Sequence, residues 1–194
     1  MPHFTDGMTW LNEPPFWTLQ DGDLVARSAP RTDFWQGTYY GFHRDDGHFL
    51  QRAQTGEFTA EASFTGAYEA LYDQAGMMLR ADATHWLKCG IELSDGALQL
   101  SVVVTNGHSD WSVQRLGRTT GPVGLRMTRL GDAIFVQFRV EGGVWTAARI
   151  AYFPPEPSEL QVGLAFCSPE RAGFEARFHG FEIGPPRSRA IHGD

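Results

Sequence analysis

The segment from Trp86 to Leu93 has two unlike faces when it is placed on the two-residue period of a strand. The apolar face predicts a core side and comprises Leu87, Cys89, Ile91 and Leu93. The opposite face comprises Trp86, Lys88, Gly90 and Glu92. An indole ring stacks on the apolar side of a pyranose, and an ammonium and a carboxylate supply a donor and an acceptor for hydroxyls. The pattern predicts a saccharide-binding face, with Glu92 and Lys88 as the catalytic pair if the protein is an enzyme.

Two further polar residues, Asp73 and Gln74, come just before the predicted strand around Met77. At the mouth of a strand, a carboxylate and an amide can hold ligand hydroxyls. An Asx-type turn, in which Asp73 caps its own backbone, explains the same residues equally well. Arg80 follows on this strand, and we expect it either to join the site or to form a cross-strand ion pair with Glu92.

Aromatic residues in polar surroundings extend the candidate site. Asp110 and Trp111 follow the turn signal Asn106-Gly107-His108 and are predicted to lie on a loop. Trp111, like Trp86, stands among polar residues, whereas Trp10, Trp17 and Trp145 are assigned to packing. The segment Asp33-Phe34-Trp35, together with Tyr39 or Tyr40, would complete an aromatic-lined cleft for a saccharide or polyol.

Three functions other than saccharide binding are also compatible with the sequence: two enzymatic activities and a protein-interaction module. Glycoside hydrolysis requires two carboxyls, and the Trp86 strand offers only Glu92; Glu57 and Glu61 either supply the second carboxyl or face solvent on another strand. A lyase would use Lys88 to neutralise a uronate carboxylate, with Tyr39 or His85 as the base. The third class is a protein-interaction module, including a homodimer, which a flat apolar patch in place of a cleft would indicate.

Composition restricts the partners. The chain has 194 residues, 22 of them glycine, and a formal net charge of -7, which repels phosphate backbones and anionic lipid surfaces. We therefore predict no nucleic-acid and no membrane partner.

Cys89 and Cys167 both fall within apolar runs and are predicted to be buried free thiols, with no metal site and no cofactor. The sequence contains no basic start followed by an apolar run, so cytoplasmic localisation is expected.

Turn signals recur every 8 to 12 residues, the spacing typical of all-β proteins. Alternation from Glu57 to Thr65 predicts one strand, Thr38 to Phe42 is assigned to another, and Ser94-Asp95-Gly96 predicts a hairpin turn. The proline-rich segment 154–157 predicts a loop crossing between sheets. About a dozen strands favour a single domain over residues 1–183, built as a two-sheet antiparallel jelly-roll sandwich, with a loose tail at 184–194.

Several blocks occur in an order that resembles one family: Asn12-Glu13-Pro14-Pro15 with Trp17, Thr32-Asp33-Phe34-Trp35, Tyr72 to Gly76, Trp86 to Glu92, Ser109 to Ser112, and Cys167-Ser168-Pro169. This is the "regulation of enolase" family, domain of unknown function thirteen forty-nine, and the resemblance runs from about Trp10 to Ile183. It implies a concanavalin A-like lectin/glucanase fold, in which a concave sheet commonly holds a saccharide. It implies no known reaction. The Glu-x-Asp-x-x-Glu strand signature of the laminarinase-like members of that fold is missing.

Overall fold

The protein is a sandwich of two seven-stranded antiparallel sheets in a computed structural model that describes residues 2–117 and 121–187. Strands are numbered in chain order. Sheet A contains, from edge to edge, β1 (Thr9–Leu11), β6 (His48–Thr55), β15 (Glu159–Cys167), β8 (Gln74–Asp82), β9 (His85–Ser94), β10 (Ala97–Asn106) and β11 (His108–Arg115). Sheet B contains β14 (Thr146–Tyr152), β13 (Ala133–Val140), β12 (Val123–Leu130), β7 (Phe58–Gly66), β16 (Glu175–Gly184), β3 (Asp23–Arg27) and β2 (Phe16–Gln20). A separate hairpin pairs β4 (Phe34–Gln36) with β5 (His43–Asp45).

The predicted all-β, two-sheet architecture is confirmed, and no helix occurs among the described residues. Accordingly, the described part of the chain contains no helix long and apolar enough to cross a membrane. The proline-rich segment 154–157 connects β14 of sheet B to β15 of sheet A, as the composition predicts. Asp95 and Gly96, both at positive φ, form the two-residue turn between β9 and β10.

The main core lies between the two sheets and is built from alternate residues of each strand. Phe58, Ala60, Ala62 and Phe64 contribute from β7, which confirms the alternation predicted there. Leu87, Cys89 and Ile91 contribute from β9, as predicted, whereas Leu93, predicted for the same face, is only partly buried and does not belong to this core. Cys89 and Cys167 are both buried free thiols, as expected. A strand with one face in this core presents every other side chain to the opposite face.

The face of sheet A that points away from sheet B, called the outer face below, is partly covered by the β4–β5 hairpin. Phe34 and Trp35 of β4 pack there against a second apolar cluster, whose buried sheet members are Phe49, Met78, Trp86, Val103 and Ala165. Polar contacts hold the hairpin in place: Arg80 of β8 donates two hydrogen bonds to the Asp45 carboxylate at 2.8 and 2.9 Å. The Gln36 side chain donates to the Ala83 carbonyl at 3.1 Å. The hairpin therefore leaves only part of the outer face open.

The assignment of Thr38 to Phe42 to a strand is wrong. These residues form the loop at the tip of the β4–β5 hairpin, and the pairing of β4 with β5 ends at Gln36 and His43. Gly37, Tyr39 and Gly41 all have positive φ, a conformation that a continuous strand does not contain. The aromatic residues of this segment are therefore carried on a loop above the outer face rather than within a sheet.

The last described residues run along the side of sheet B that faces away from the core. The Arg187 backbone N–H donates to the Thr59 hydroxyl, and its guanidinium donates to Glu61, both at 2.9 Å. Residues 188–194, the larger part of the predicted tail, lie outside the described residues. Glu61 also accepts a hydrogen bond from Arg126 at 2.9 Å, so it lies on the opposite sheet from Glu92 and is not a second carboxyl for the Glu92 site.

Candidate functional site

A cleft of about 250 Å³ opens on the outer face of sheet A beside the β4–β5 hairpin. Its size is close to the lower end of small-molecule sites, roughly 300–1,000 Å³. Aromatic rings form much of the lining: Trp35, Tyr40, Phe42, Tyr72 and Trp111. The polar residues of the lining are Asp33, Gln74, Lys88, Glu92 and Glu170. The cleft thus combines apolar walls with a small set of hydrogen-bonding groups, the composition typical of a ligand site.

The position of the cleft follows from strand periodicity and from two glycines. Lys88 and Glu92 occupy the outer face of β9 because Cys89 and Ile91 point into the main core. Between them, Gly90 lies opposite Gly76 of β8 in the strand register. A Cβ on Gly90 would collide with the Ala75 carbonyl, and one on Gly76 would collide with the Cys89 carbonyl. The close approach of β8 and β9 requires glycine at both positions, and it leaves a floor without side chains between Lys88 and Glu92.

Glu92 is a buried carboxyl, 4% exposed, whose Oε1 has no hydrogen-bond partner within the described residues. Burial raises its pKa to about 7, although the Lys88 ammonium and the Ser101 hydroxyl act in the opposite direction. A nearby Asp33 carboxyl raises it further. A carboxyl with this pKa is present in both protonation states near neutral pH, so it is able to donate or accept a proton there.

Lys88 is held beneath the hairpin by Asp33. Its Nζ lies 3.4 Å from both Asp33 Oδ1 and the Phe34 carbonyl, and 5.9 Å from the ring centres of Phe34 and Trp86. Burial by itself lowers the pKa of Lys88, but the surrounding acidic groups Cys167, Asp33 and Glu92 raise it above its ordinary value. Burial also raises the pKa of the Cys167 thiol, so that thiol is neutral at pH 7 and Asp33 is the charge paired with Lys88.

The aromatic walls come from the hairpin loop and from the far edge of sheet A. Tyr40 stacks on Phe42 with ring centres 5.5 Å apart, and the hydroxyls of Tyr40 and Tyr72 are 3.2 Å apart. That hydrogen bond, together with burial, raises the pKa of Tyr72. Trp111 is 37% exposed, and its Nε1 donates to the Ser101 hydroxyl at 3.1 Å. The indole of Trp111 is therefore fixed in orientation while part of its surface stays accessible.

Of the residues predicted for ligand binding, Gln74 and Trp111 line the cleft together with the predicted pair Glu92 and Lys88. Asp33, Trp35 and Tyr40, considered as additions, also line it. The sequence reasoning missed Phe42, Tyr72 and Glu170. Tyr72 directly precedes Asp73 and Gln74, and only these two polar residues of the motif were predicted to bind a ligand. Glu170 follows Pro169 in a loop, where no periodicity predicts the direction of a side chain. Phe42 was not predicted to line the cleft because its segment was wrongly assigned to a strand.

Trp86 does not lie where a ligand can reach it, and the prediction that it stacks on a sugar is wrong. Its side chain has no exposed surface. The ring packs against Phe34 with ring centres 6.2 Å apart, and its Nε1 donates to the Ala83 carbonyl. The period of the strand places Trp86 on the outer face correctly, but the β4–β5 hairpin covers that part of the face. Trp86 is a packing residue of the second apolar cluster.

Asp73 is structural rather than ligand-binding. It has no exposed surface, and its carboxylate accepts hydrogen bonds from the backbone N–H groups of Glu69 and Ala70, from the Ser168 hydroxyl and from Arg171. Burial by itself raises the pKa of Asp73, but the Arg171 and Ser168 bonds and the two backbone bonds outweigh it and hold the pKa below its usual range. The two N–H groups belong to residues four and three positions before Asp73, so the expected Asx-type turn is also wrong: the carboxylate holds the preceding turn in place, together with Arg171 and Ser168.

Arg80 and Asp110 are engaged elsewhere. Arg80 is paired in register with Trp86, not with Glu92, and its guanidinium is bound to Asp45. The suggested ion pair with Glu92 is therefore wrong, because Glu92 lies opposite Gln74 at the other end of β8. The prediction of a loop at Asp110 and Trp111 is wrong, because the chain turns at Gly107 and both residues belong to strand β11. Asp110 forms an ion pair with Arg149 of sheet B at 3.2 Å, which places it on the other side of β11 from the cleft. Both side chains connect parts of the fold.

The proposed bases of a lyase are not assembled at the cleft. Tyr39 is 94% exposed on the hairpin loop and does not line the cleft, although it borders a neighbouring depression with Trp111. His85 is bound to the Asp82 carboxylate at 2.9 Å at the start of β9. Lys88 is already neutralised by Asp33. The bases predicted for a lyase therefore lie outside the described lining of the cleft, and its ammonium is paired with a carboxylate.

Comparisons with known proteins agree with the resemblance found in the sequence. The family model described as "Protein of unknown function (DUF1349)" matches residues 10–186. Regulation of enolase protein 1 of Saccharomyces cerevisiae (strain ATCC 204508 / S288c) is 42% identical over 184 residues, which cover 95% of this chain and 92% of that protein. The crystal structure of a functionally unknown protein from Saccharomyces cerevisiae superposes with a TM-score of 0.90 at 40% identity, covering 95% of this chain and 99% of that one.

More distant structures share the fold alone. A xylan β-1,4-xylosidase from Bacillus halodurans C-125 superposes with a TM-score of 0.70 at 16% identity, covering 94% of this chain and 39% of that one. An alginate lyase from Klebsiella pneumoniae superposes with a TM-score of 0.58 at 10% identity, covering 88% of this chain and 84% of that one. With a family model that spans nearly all of it and a relative at 42% identity, this chain belongs to the DUF1349 family of proteins of unknown function.

Proposed function

We propose that the protein binds a saccharide or a related polyol in the cleft on the outer face of sheet A. The observation that carries this proposal is the combination of partly exposed rings with a polar floor. Trp111 and Tyr40 offer apolar surface for the face of a sugar ring, while Gln74 and Glu92 offer an amide and a carboxyl to its hydroxyls. The cleft volume of about 250 Å³ suits a ligand of one or two sugar rings.

A binding screen with two tryptophan variants tests this proposal. Thermal unfolding is measured with a panel of mono- and oligosaccharides for the parent protein, Trp111→Ala and Trp17→Ala. Trp17 is a matched control because it is 42% exposed, against 37% for Trp111, and lies on β2 of sheet B. A bound sugar at about 100 times its Kd stabilises by about 2.7 kcal/mol, which raises the melting temperature by about 5–10 °C. Trp111→Ala is expected to reduce this shift, and Trp17→Ala to preserve it.

The outcome against the proposal is equally specific. If no sugar changes the melting temperature of the parent protein, binding of saccharides in the cleft is refuted. If a sugar shifts the parent and Trp111→Ala equally, the sugar binds elsewhere. Glu92→Gln gives a second measure, because the amide retains the shape of the carboxyl but cannot accept at both oxygens. We expect binding to be weakened by about tenfold in this variant.

A second candidate function, glycoside hydrolysis, is favoured by one observation: two carboxyls, Asp33 and Glu92, line the same cleft. Hydrolysis uses one carboxyl as a general acid and a second as a base or nucleophile. Glu92, whose pKa burial raises to about 7, has the property of the acid, and Asp33, whose carboxyl lies 3.4 Å from the Lys88 ammonium, is the candidate for the second role. This assignment replaces Lys88 with Asp33 as the partner of Glu92 and keeps Lys88 as the residue that positions Asp33.

Mass spectrometry of incubated sugars separates the two candidates. Hydrolysis adds one water to each cleaved glycosidic bond and yields shorter products. Glu92→Gln and Asp33→Asn should each abolish those products, while Glu182→Gln, a substitution on the exposed side of sheet B, should not. Oligosaccharides that bind and are recovered intact would refute the hydrolase and leave the binding function in place.

A further inference from the structure

The charges around the cleft point to a more specific ligand, and this inference rests on the proposed function. We infer that the cleft selects a hydroxylated ligand that carries a protonated amine, such as an amino sugar, over its neutral and anionic analogues. Three observations support this: the balance of charged groups in the lining, the unpartnered oxygen of Glu92, and the aromatic walls. Each is considered in turn.

Carboxyls outnumber free cations in the lining. Asp33, Glu92 and Glu170 line the cleft, and among the described lining residues Lys88 is the one cationic side chain. Lys88 is bound to Asp33 at 3.4 Å, and its own side chain is only 10% exposed. A carboxylate or phosphate on a ligand would therefore meet carboxyls and a cation that is already neutralised. The lining disfavours anionic ligands and favours cationic ones.

Glu92 supplies the acceptor for an ammonium. It is 4% exposed, and its Oε1 has no hydrogen-bond partner within residues 2–117 and 121–187. A buried polar atom without a partner is costly, so a ligand that donates a hydrogen bond to it gains affinity. Donation from an ammonium is stronger than donation from a hydroxyl when the acceptor is ionised. Burial holds the pKa of Glu92 at about 7, and an ammonium beside it would favour the ionised form.

The aromatic walls also favour positive charge. Tyr40, Phe42 and Trp111 line the same cleft as Glu92. The faces of aromatic rings attract cations as well as the apolar faces of sugars. A quaternary ammonium would use these rings but has no N–H to donate to Glu92. A primary ammonium on a hydroxylated ring uses the rings, the carboxyl and the Gln74 amide together, and it is therefore the ligand class we assign.

Isothermal titration calorimetry at pH 7 and low salt tests the inference on matched sugars. Three pairs that differ only at the amine are compared: glucose with glucosamine, galactose with galactosamine, and mannose with mannosamine. N-acetylglucosamine removes the charge, glucuronate reverses it, and choline retains a charge without an N–H. We expect at least one hexosamine to bind about tenfold or more tightly than its hexose. N-acetylglucosamine is expected to bind like the hexose, and glucuronate and choline more weakly than the hexosamine.

The variants assign the preference to Glu92. Glu92→Gln should weaken both members of a pair but the hexosamine more, which brings the ratio of the two Kd values close to one. Glu182→Gln, on exposed sheet B surface, should leave the ratio unchanged. Trp111→Ala should weaken both members of the pair and lower the ratio less than Glu92→Gln does, because it removes one ring that attracts cations and retains the carboxyl.

Failure of the inference is distinguishable from failure of the proposed function. Equal affinity within every pair, or tighter binding of glucuronate, would overturn the preference for an amine and leave sugar binding intact. A preference that survives Glu92→Gln would overturn the assignment to Glu92. Absence of binding for every sugar in the panel would overturn both the inference and the proposed function.

Discussion

Asp73 and Glu92 are two buried carboxyls at the same end of sheet A, and their surroundings are opposite. They are neighbours because Gln74, which follows Asp73, is paired in register with Glu92. Asp73 accepts hydrogen bonds from two backbone amides, Ser168 and Arg171, and its pKa is lowered. Glu92 has an unpartnered oxygen, and burial raises its pKa to about 7. Burial is common to both carboxyls; the number of donors that reach each one distinguishes them.

The largest expected effect is on stability at Asp73. Asp73→Ala removes the acceptor of two backbone N–H groups, the Ser168 hydroxyl and the Arg171 guanidinium at once. Because Arg171 remains partly accessible to water, the loss comes mainly from the two backbone amides and the buried Ser168 hydroxyl, and we expect about 3 kcal/mol. Urea denaturation measures it. Asp132→Ala, in the exposed β12–β13 turn, is the control and should change stability by less than about 0.5 kcal/mol. A similar loss in both variants would contradict the comparison.

The next effect is a dependence of stability on pH that has opposite signs at the two carboxyls. The folded-state pKa of Glu92 is raised from 4.5 to about 7, so its contribution to stability is fully present below about pH 4.5 and is lost as pH rises through about 7. The loss is about 3 kcal/mol at 1.36 kcal/mol for each pKa unit. The difference in unfolding free energy between the parent and Glu92→Gln should therefore change by about this amount between pH 4 and pH 8. Asp73, with its lowered pKa, loses its contribution as pH falls below 3.8.

Urea denaturation across this pH range, with Glu92→Gln beside the parent protein, separates Glu92 from the other carboxyls, since the variant shares all of them. The parent should lose stability relative to the variant as pH rises. A difference that is independent of pH would show that Glu92 titrates normally in the folded protein.

A smaller effect tests whether Lys88 lowers the pKa of Glu92 through its charge, as Arg171 lowers the pKa of Asp73. The Lys88 ammonium lowers the pKa of Glu92, though not enough to outweigh burial. Lys88→Met, which fills a similar volume, should raise the pKa of Glu92 further by about 1 unit, since one nearby charge is removed. Carboxyl chemical shifts followed by nuclear magnetic resonance would measure it, with Glu92→Gln to assign the signal. A fall in the pKa would show that Lys88 does not act on Glu92 through its charge.

The smallest effect is at Ser101, whose hydroxyl lowers the pKa of Glu92 and accepts a hydrogen bond from Trp111. Ser101→Ala should raise the pKa of Glu92 by about a few tenths of a unit, because the hydroxyl can donate to both forms of the carboxyl and only the difference between the two hydrogen bonds shifts the pKa. The same titration measures it. Ser112→Ala is a control, since that hydroxyl belongs to the other side of β11 and contacts Arg149. Equal shifts in both variants would contradict a specific role for Ser101.

Sequence patterns were most informative where a local rule applies. The two-residue period assigns Leu87 and Ile91 to the core and Lys88 and Glu92 to the opposite face, because the alternation of side chains along a strand needs no tertiary information. The turn at Asp95 and Gly96 follows equally from local conformation. The segment Thr38 to Phe42 was misjudged for the converse reason: its aromatic and β-branched composition suits a strand, but positive φ at Gly37, Tyr39 and Gly41 makes it a loop.

The sequence by itself thus determined the fold class, the family, and the face of β9 on which Lys88 and Glu92 lie. The tertiary structure alone decided which of those residues meet solvent. Trp86 and Glu92 share one face of β9, yet the β4–β5 hairpin covers Trp86 and leaves Glu92 at the cleft. Likewise, only the packing of the loop that carries Arg171 shows that the hydrogen-bonding capacity of the Asp73 carboxylate is filled by donors of the protein. The physical reason is that periodicity acts within one strand, whereas burial and hydrogen bonding depend on segments brought together from distant parts of the chain.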